Sequence, residues 1–200
     1  MNEKFFDLNR EKQDRMINAA LRVFAQNGYR HASTDVIVKE AGISKGLLFH
    51  YFNSKMGLFS FLFDYSVKYM LFEYDRLISA KETDYFIIRK ELERAKLNVL
   101  RSYPYMSEFI EKSLQESQLD INETIEESKN TYLDTLNKYY SQGSREFLRE
   151  DISSSRLDSI IRYTVDGLTK DQMRLGTFQP EMLYEQICDY LDTLKNLVTQ

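Results

Sequence analysis

Lys45, His50, Tyr51 and Lys55 are the residues of this sequence whose types and spacing offer the most chemistry. An ammonium, an imidazole and a phenol along one short segment supply hydrogen-bond donors and positive charge, the groups that contact phosphates and base edges. Gly46 lets a backbone approach closely, and Leu47 offers an apolar surface of the kind a thymine methyl accepts. His50 is also the nearest candidate for a general base or a metal ligand. His31 is the only other histidine, Cys188 the only cysteine, and no carboxylate partners His50 at helical spacing. No Ser/His/Asp or Cys/His set, Gly-rich phosphate loop or metal-binding spacing occurs either. The expectation is a binding surface with no catalytic residues, metal or cofactor.

The elements that must position these groups lie between Thr34 and Lys55, T-D-V-I-V-K-E-A-G-I-S-K-G-L-L-F-H-Y-F-N-S-K. Thr34 offers an N-cap oxygen, and Val36, Ile37 and Ala41 fall close to one face of a first short helix. Gly42 is the residue best able to take the left-handed conformation that ends a helix. Ile43 plugs the corner and Ser44 caps a second helix. In that helix Leu48 and Phe52 point inward, leaving Lys45, Gly46, Leu47, Phe49, His50 and Tyr51 on the outer and end faces. Two helices joined in this way form a helix-turn-helix, whose second helix enters the DNA major groove.

Gly28, Thr34, the run A-G-I-S-K-G-L-L-F-H-Y-F and the closing N-S-K resemble the DNA-binding domain of tetracycline-repressor (TetR) family transcription regulators, from about Arg10 to Phe63. The resemblance implies phosphate contacts at Ser33 and Thr34, although Thr34 can also serve as a cap alone. It implies donation to phosphate from Tyr51 and Lys55. Leu47 stands where the family usually has Thr or Ser, and Phe49 where it usually has Tyr, so two hydroxyl donors are missing. Met56 and Gly57 replace common acidic residues, which predicts a weakly started next helix.

Composition agrees with this reading. Residues 1–55 carry a net charge of +3 and the remainder −7, a basic head on an acidic body. Seven glycines and two prolines in 200 residues leave few helix breakers, so long helices are expected. A single cysteine excludes an internal disulfide framework, and no segment offers about 20 uninterrupted apolar residues for a membrane span. A cytoplasmic protein with no membrane partner is expected.

Taken in order, the chain reads as all-α: a three-helix head over residues 1–55 and a larger helical body over 56–200, about nine helices in all. Residues 1–9 read as a mobile arm, and a first helix runs from Arg10 to Gln26 before Asn27 and Gly28. A long helix from Ser54 to Ile78, apolar nearly all round in its first half, is expected between head and body. Further helices are expected at Tyr85–Tyr103, from Pro104 to Ser117, at Ile121–Tyr140, from Arg156 to Leu175 before Gly176, and from Pro180 to Val198. The last two carry apolar stripes, Leu157, Ile161, Val165 and Leu168, then Leu183, Ile187, Leu191 and Leu194. Either these close a dimer as a four-helix bundle, the family's interface, or they close the chain's own core. An aromatic-rich middle, with Tyr65, Tyr69, Phe72, Tyr103, Met106, Phe109 and Tyr132, offers an effector-pocket lining or plain core.

The leading expectation is a homodimeric regulator, a repressor, that binds double-stranded DNA at a palindromic operator and is released by a small apolar or aromatic effector. A DNA-binding factor without an effector, and a helical enzyme carrying a DNA-binding head, are the alternatives.

Overall fold

A computed structural model describes residues 3–174 and 179–199. Among these residues the fold is all-α. A short 3-10 turn at Glu3–Phe5 precedes α1 (Arg10–His31), α2 (Thr34–Ala41), α3 (Lys45–Phe52), α4 (Lys55–Leu77), α5 (Tyr85–Ser102), α6 (Met106–Leu114), α7 (Leu119–Gln142), α8 (Ser154–Arg174) and α9 (Pro180–Val198). No helix among the described residues is long and apolar enough to cross a membrane. The chain forms two compact units: one comprises the residues up to Leu71 with Val99–Leu133, the other Phe72–Asn98 with everything from Asp134 onward. Helices α4, α5 and α7 therefore each contribute residues to both.

In the first unit, α1 buries Met16, Ile17, Ala20, Leu21 and Phe24, the stripe expected from their 3.6-residue spacing. Gly28, at φ 66° and ψ 175°, breaks the helix where the sequence places its end, and one further turn follows to His31. Phe24 packs edge-on against Phe59 of α4 (ring centroids 5.2 Å apart), and Phe59 against Phe109 of α6 (5.3 Å). Met106 and Phe109, nominated for a pocket, are fully buried packing residues of this unit. Pro104 does not open α6. The bond from the Met106 amide to the Tyr103 carbonyl (3.0 Å) closes a turn with proline at its second position, the place its fixed φ suits, and the helix begins only at Met106.

The arm expected to be mobile is docked over its described residues. Phe5 is completely buried, with its ring 5.7 Å from Tyr51, 5.2 Å from Phe52 and 5.2 Å from Phe61. The Gln13 side-chain amide donates to the Phe6 and Leu8 carbonyls (3.1 and 2.7 Å) and holds the arm against α1. Two adjacent phenylalanines in a polar segment were the available signal; burying one of them offsets the entropy of ordering the arm.

In the second unit, α8 and α9 pack on Tyr85 and Phe86 of α5, with Phe147 alongside. This corrects the expected dimer surface. Leu157, Ile161, Val165, Leu183, Ile187 and Leu191 are at most 6% exposed in the single chain, and Leu168 and Leu194 pack partly buried against them. An amphipathic stripe records that a face is covered, not by which neighbour, and here the neighbour is the same chain. Asp84 caps α5, its Oδ1 accepting from the Phe86 and Ile87 amides (2.8 and 3.1 Å) while Oδ2 pairs with Lys195 (2.8 Å). Pro180 opens α9 as expected; the stop expected at Gly176 lies outside the described residues.

Candidate nucleic-acid interface

The site is assembled by the two short helices and the turn between them. Ser33, not Thr34, is the N-cap residue of α2, and its side chain makes no capping bond; Thr34 is the first helical residue. The first amides of α2 are thus left for an external acceptor, which suits a phosphate oxygen. Gly42 adopts φ 66° and ψ 41°, and the Ile43 amide donates back to Val38 (3.0 Å), turning the chain through the left-handed conformation expected of it. Ser44 Oγ then accepts from the Leu47 amide at 3.2 Å and starts α3.

Leu48 and Phe52 of α3 point inward as expected, 1% and 3% exposed. Tyr51 joins them at 7%, which corrects its assignment to the outer face. In a two-turn helix the positions three and four after Leu48 share its face, so Tyr51 and Phe52 are buried together. Its ring meets Phe5 edge-on, and this makes Tyr51 a support beneath the interface. The outer surface is left to Lys45, Gly46 and His50, all exposed, with Leu47 and Phe49 half-buried beside them. Val36, grouped by the sequence with Ile37 and Ala41 close to one face, is 42% exposed on α2 while those two are fully buried. The four-residue spacing of Ile37 and Ala41 defines the inner face, and Val36 stands one step off it.

Charged side chains brace this geometry. Arg22 of α1 and Glu40 of α2 form a two-pronged pair, Nε to Oε2 at 2.9 Å, that fixes the first helix to the second. Lys45 Nζ lies 2.8 Å from Asp35 Oδ1, tying the start of α3 to the start of α2. Lys55 donates to the Arg30 carbonyl (3.2 Å) and sits 4.7 Å above the Tyr29 ring, and this partial burial lowers its pKa. Neither Arg22–Glu40 nor Lys45–Asp35 was visible in the sequence, because both join helices whose separation only the turn geometry sets.

The joint between α3 and α4 is unusually tight. Asn53 takes a positive φ of 62°, the Ser54 amide reaches the Phe52 carbonyl at 2.7 Å, and Ser54 Oγ accepts from the Gly57 amide at 2.9 Å. That serine supplies the helix start which Met56 and Gly57 were expected to weaken. Gly57 leaves no room for a side chain without a shift of backbone, since a Cβ there would lie 2.1 Å from the Phe52 carbonyl oxygen.

Of the residues nominated for an effector pocket, the structure brings Tyr65, Tyr69 and Tyr103 together. Tyr65 OH donates to Tyr103 OH (2.7 Å), which donates to Asp14 of α1 (2.8 Å), and the Tyr69 ring stands perpendicular to Tyr103 at 5.1 Å. Burial first, and then these bonds to Tyr65 and Asp14, push the Tyr103 phenol far above its usual range, so it remains a donor. Tyr132 is buried on α7, whereas Phe72, at 63% exposure, is a surface residue and not a pocket wall.

Residues 16–60 match the family of bacterial regulatory proteins described as the tetR family. The HTH-type transcriptional regulator YuxN of Bacillus subtilis is 30% identical over 175 residues, 78% of this chain, and the chain spans 58% of that regulator's length. The fatty acid metabolism regulator protein of Bacillus subtilis is 26% identical over 138 residues, 67% of this chain and 69% of the relative. A TetR family transcriptional regulator from Chloroflexus aurantiacus has the same fold, with a TM-score of 0.67 at 21% identity over 100% of this chain and 98% of its own. The matched residues contain the helix-turn-helix formed by α2 and α3, so this segment is a DNA-binding domain of the tetR family of bacterial regulatory proteins.

Proposed function

We propose that the protein is a repressor that binds a palindromic operator as a homodimer and leaves it when a small, largely apolar effector enters the helical body. Residues 1–55 form the DNA-binding domain in this reading, and 56–200 the effector-binding and dimerisation domain. The observation that carries it is the outer face of α3. Lys45, Gly46 and His50 are exposed there with Leu47 and Phe49 beside them, on a helix capped by Ser44 and seated on Leu48, Tyr51 and Phe52. Lys45, Leu47 and His50 meet base edges; Ser33, Thr34 and Lys55 meet phosphates; Tyr51 acts from beneath.

A palindrome requires two heads about 34 Å apart, one turn of DNA, and hence a two-fold dimer. The faces of α8 and α9 turned away from the chain's own core supply the surface. Ile160 and Tyr163 are 43% and 65% exposed, Gly167 is exposed between turns, and Met182, Tyr190 and Leu197 are 48%, 52% and 62% exposed. Exposed apolar residues recurring along two neighbouring helices favour association. Likeness to the fatty acid metabolism regulator supports a fatty acyl compound as the first effector class to try. A hundredfold loss of operator affinity needs only about 2.7 kcal/mol of coupling.

The test is recovery of sheared genomic DNA by the purified protein, beside a Lys45→Ala, His50→Ala control, followed by sequencing. One or a few palindromic sites enriched by the native protein alone support the reading. Enrichment equal to the control at low salt, where phosphate attraction is strongest, refutes it.

A further inference from the structure

A cavity of about 310 Å³ opens beside the end of the recognition helix α3 and is lined by the arm, the α3–α4 joint and the first half of α4. The residues come from separate pieces of chain: Phe6 from the arm, Phe52 and Asn53 from the end of α3, and Phe61, Asp64 and Lys68 from α4. The size falls at the lower end of small-molecule pockets, which run from about 300 to 1,000 Å³. Its apolar wall is built and not incidental. Phe61 lies tilted between Phe52 and Tyr65 (centroids 5.0 and 6.0 Å), and Phe6, 47% exposed, stands edge-on to Phe61 at 6.1 Å. The Gln13 bond to the Phe6 carbonyl fixes that ring's backbone.

The polar wall carries one charge of each sign. Asp64 and Lys68 are four apart on α4 and so face the same side, yet among the described residues they form no ion pair with each other. One Asp64 oxygen accepts from the Ser128 hydroxyl, and Lys68 has no partner among the described residues. The lining is therefore neutral overall, with an acceptor and a donor spaced along one edge of an aromatic surface.

We propose that this cavity is a ligand site beside the recognition helix, bordering the nominated tyrosine cluster at Tyr65, and that it takes an apolar or aromatic α-amino acid. The ammonium group meets Asp64, the carboxylate meets Lys68, and the side chain lies on Phe6 and Phe61. A ligand of one charge alone would leave the opposite residue facing it unfavourably. Because Phe52 and Asn53 end the recognition helix, and Tyr65 continues through Tyr103 to Asp14 of α1, the occupant bears on the DNA-reading head directly.

Calorimetric titration of the full-length protein tests this with L-phenylalanine, L-tyrosine, L-tryptophan and L-leucine, and with the two half-ligands 3-phenylpropionate and phenethylamine. At least one amino acid should saturate with a Kd of about 1 mM or tighter. For phenylalanine each half-ligand should bind about tenfold more weakly, the loss expected for one charge-assisted contact. Lys68→Met and Asp64→Asn, which keep side-chain volume and the Ser128 contact, should each weaken the amino acid to a similar degree, and Phe6→Ala should weaken all the aromatic ligands. Saturation by none of the four amino acids overturns the proposal. So does a half-ligand binding as well as its parent, or unchanged binding in the Lys68 and Asp64 variants, which would place the ligand elsewhere.

Discussion

Gly57→Ala should destabilise the protein, against the usual sign of that substitution. In an ordinary helix interior, replacing glycine by alanine stabilises by about 0.5–1 kcal/mol, because alanine loses less backbone entropy on folding. Gly57 lies in the first turn of α4 with a helical backbone, so intrinsic propensity alone predicts that gain. The new methyl carbon, however, would sit 2.1 Å from the Phe52 carbonyl oxygen and 3.2 Å from its carbon. Both are backbone atoms, and neither rotates away as a side chain would. Relief requires the end of α3 to move, which breaks the 2.7 Å bond from Ser54 to Phe52 or shifts Asn53 from its positive φ. Overpacking of this kind costs about 1–3 kcal/mol, so the net effect is a loss of about 1–2 kcal/mol after the propensity gain. Urea unfolding at fixed protein concentration measures it, with Gly46→Ala as the reference. That position has no atom within 4 Å of a built Cβ and should hold or raise the midpoint. A Gly57→Ala protein as stable as the native one would refute the steric account of the joint.

Four further outcomes follow from the same structure. Phe5→Ala should cost about 3–5 kcal/mol in urea unfolding, as for other fully buried phenylalanines, and Phe5→Leu under about 1.5 kcal/mol. Lys55→Ala should reduce the slope of log affinity against log salt by about one in a DNA-binding titration, the signature of one lost phosphate contact, whereas Tyr51→Phe should leave that slope unchanged. Asp84→Ala should remove about 1 kcal/mol at neutral pH through loss of the α5 cap. Desolvation raises the Asp84 carboxyl, but Lys195 and the Ile87 and Phe86 amides outweigh it and hold the folded-state pKa below the usual 3.8. A depressed acid contributes stability above the unfolded-state value that is lost as pH falls through the folded one, so the native protein should lose this increment below about pH 4, and the variant should lose less, by circular dichroism. Tyr163→Asp should raise the dimer dissociation constant at least about tenfold by analytical ultracentrifugation while leaving helix content unchanged, because Tyr163 is exposed in the single chain.

The helix-turn-helix was legible because its determinants are local: Gly42 must turn, Ser44 must cap, and Leu48 and Phe52 must face inward whatever surrounds them. Tyr51 was misplaced because its neighbour is Phe5, which lies far back in the chain. The α8 and α9 stripes were correctly read as buried faces, but periodicity carries no address, and of the two partners it left open these residues meet the chain's own core. The exposed residues of those helices, such as Tyr163 and Leu197, gave a fainter signal because scattered surface apolar residues are ordinary. The α3–α4 joint was read as weak from its missing acids, although Ser54 satisfies the Gly57 amide that an acid would otherwise favour. Long-range braces such as Arg22–Glu40 and Tyr103–Asp14 depend on helix placement and had no signature in the sequence.

The pair between Lys45 and Asp35 bears on how such a head would move along a chromosome. A lysine already facing a carboxylate gains less from an arbitrary phosphate than a bare one, because the new contact must displace the old and leaves Asp35 beside the DNA. In the proposed reading attraction to random sequence would thereby be reduced, while a site that also engages Leu47 and His50 would recover the difference through contacts random sequence lacks. Weak holding on the wrong sequence means short visits there. A regulator present in few copies would then spend less of its time detained on bulk DNA, and one aspartate at the foot of α2 would shorten its search.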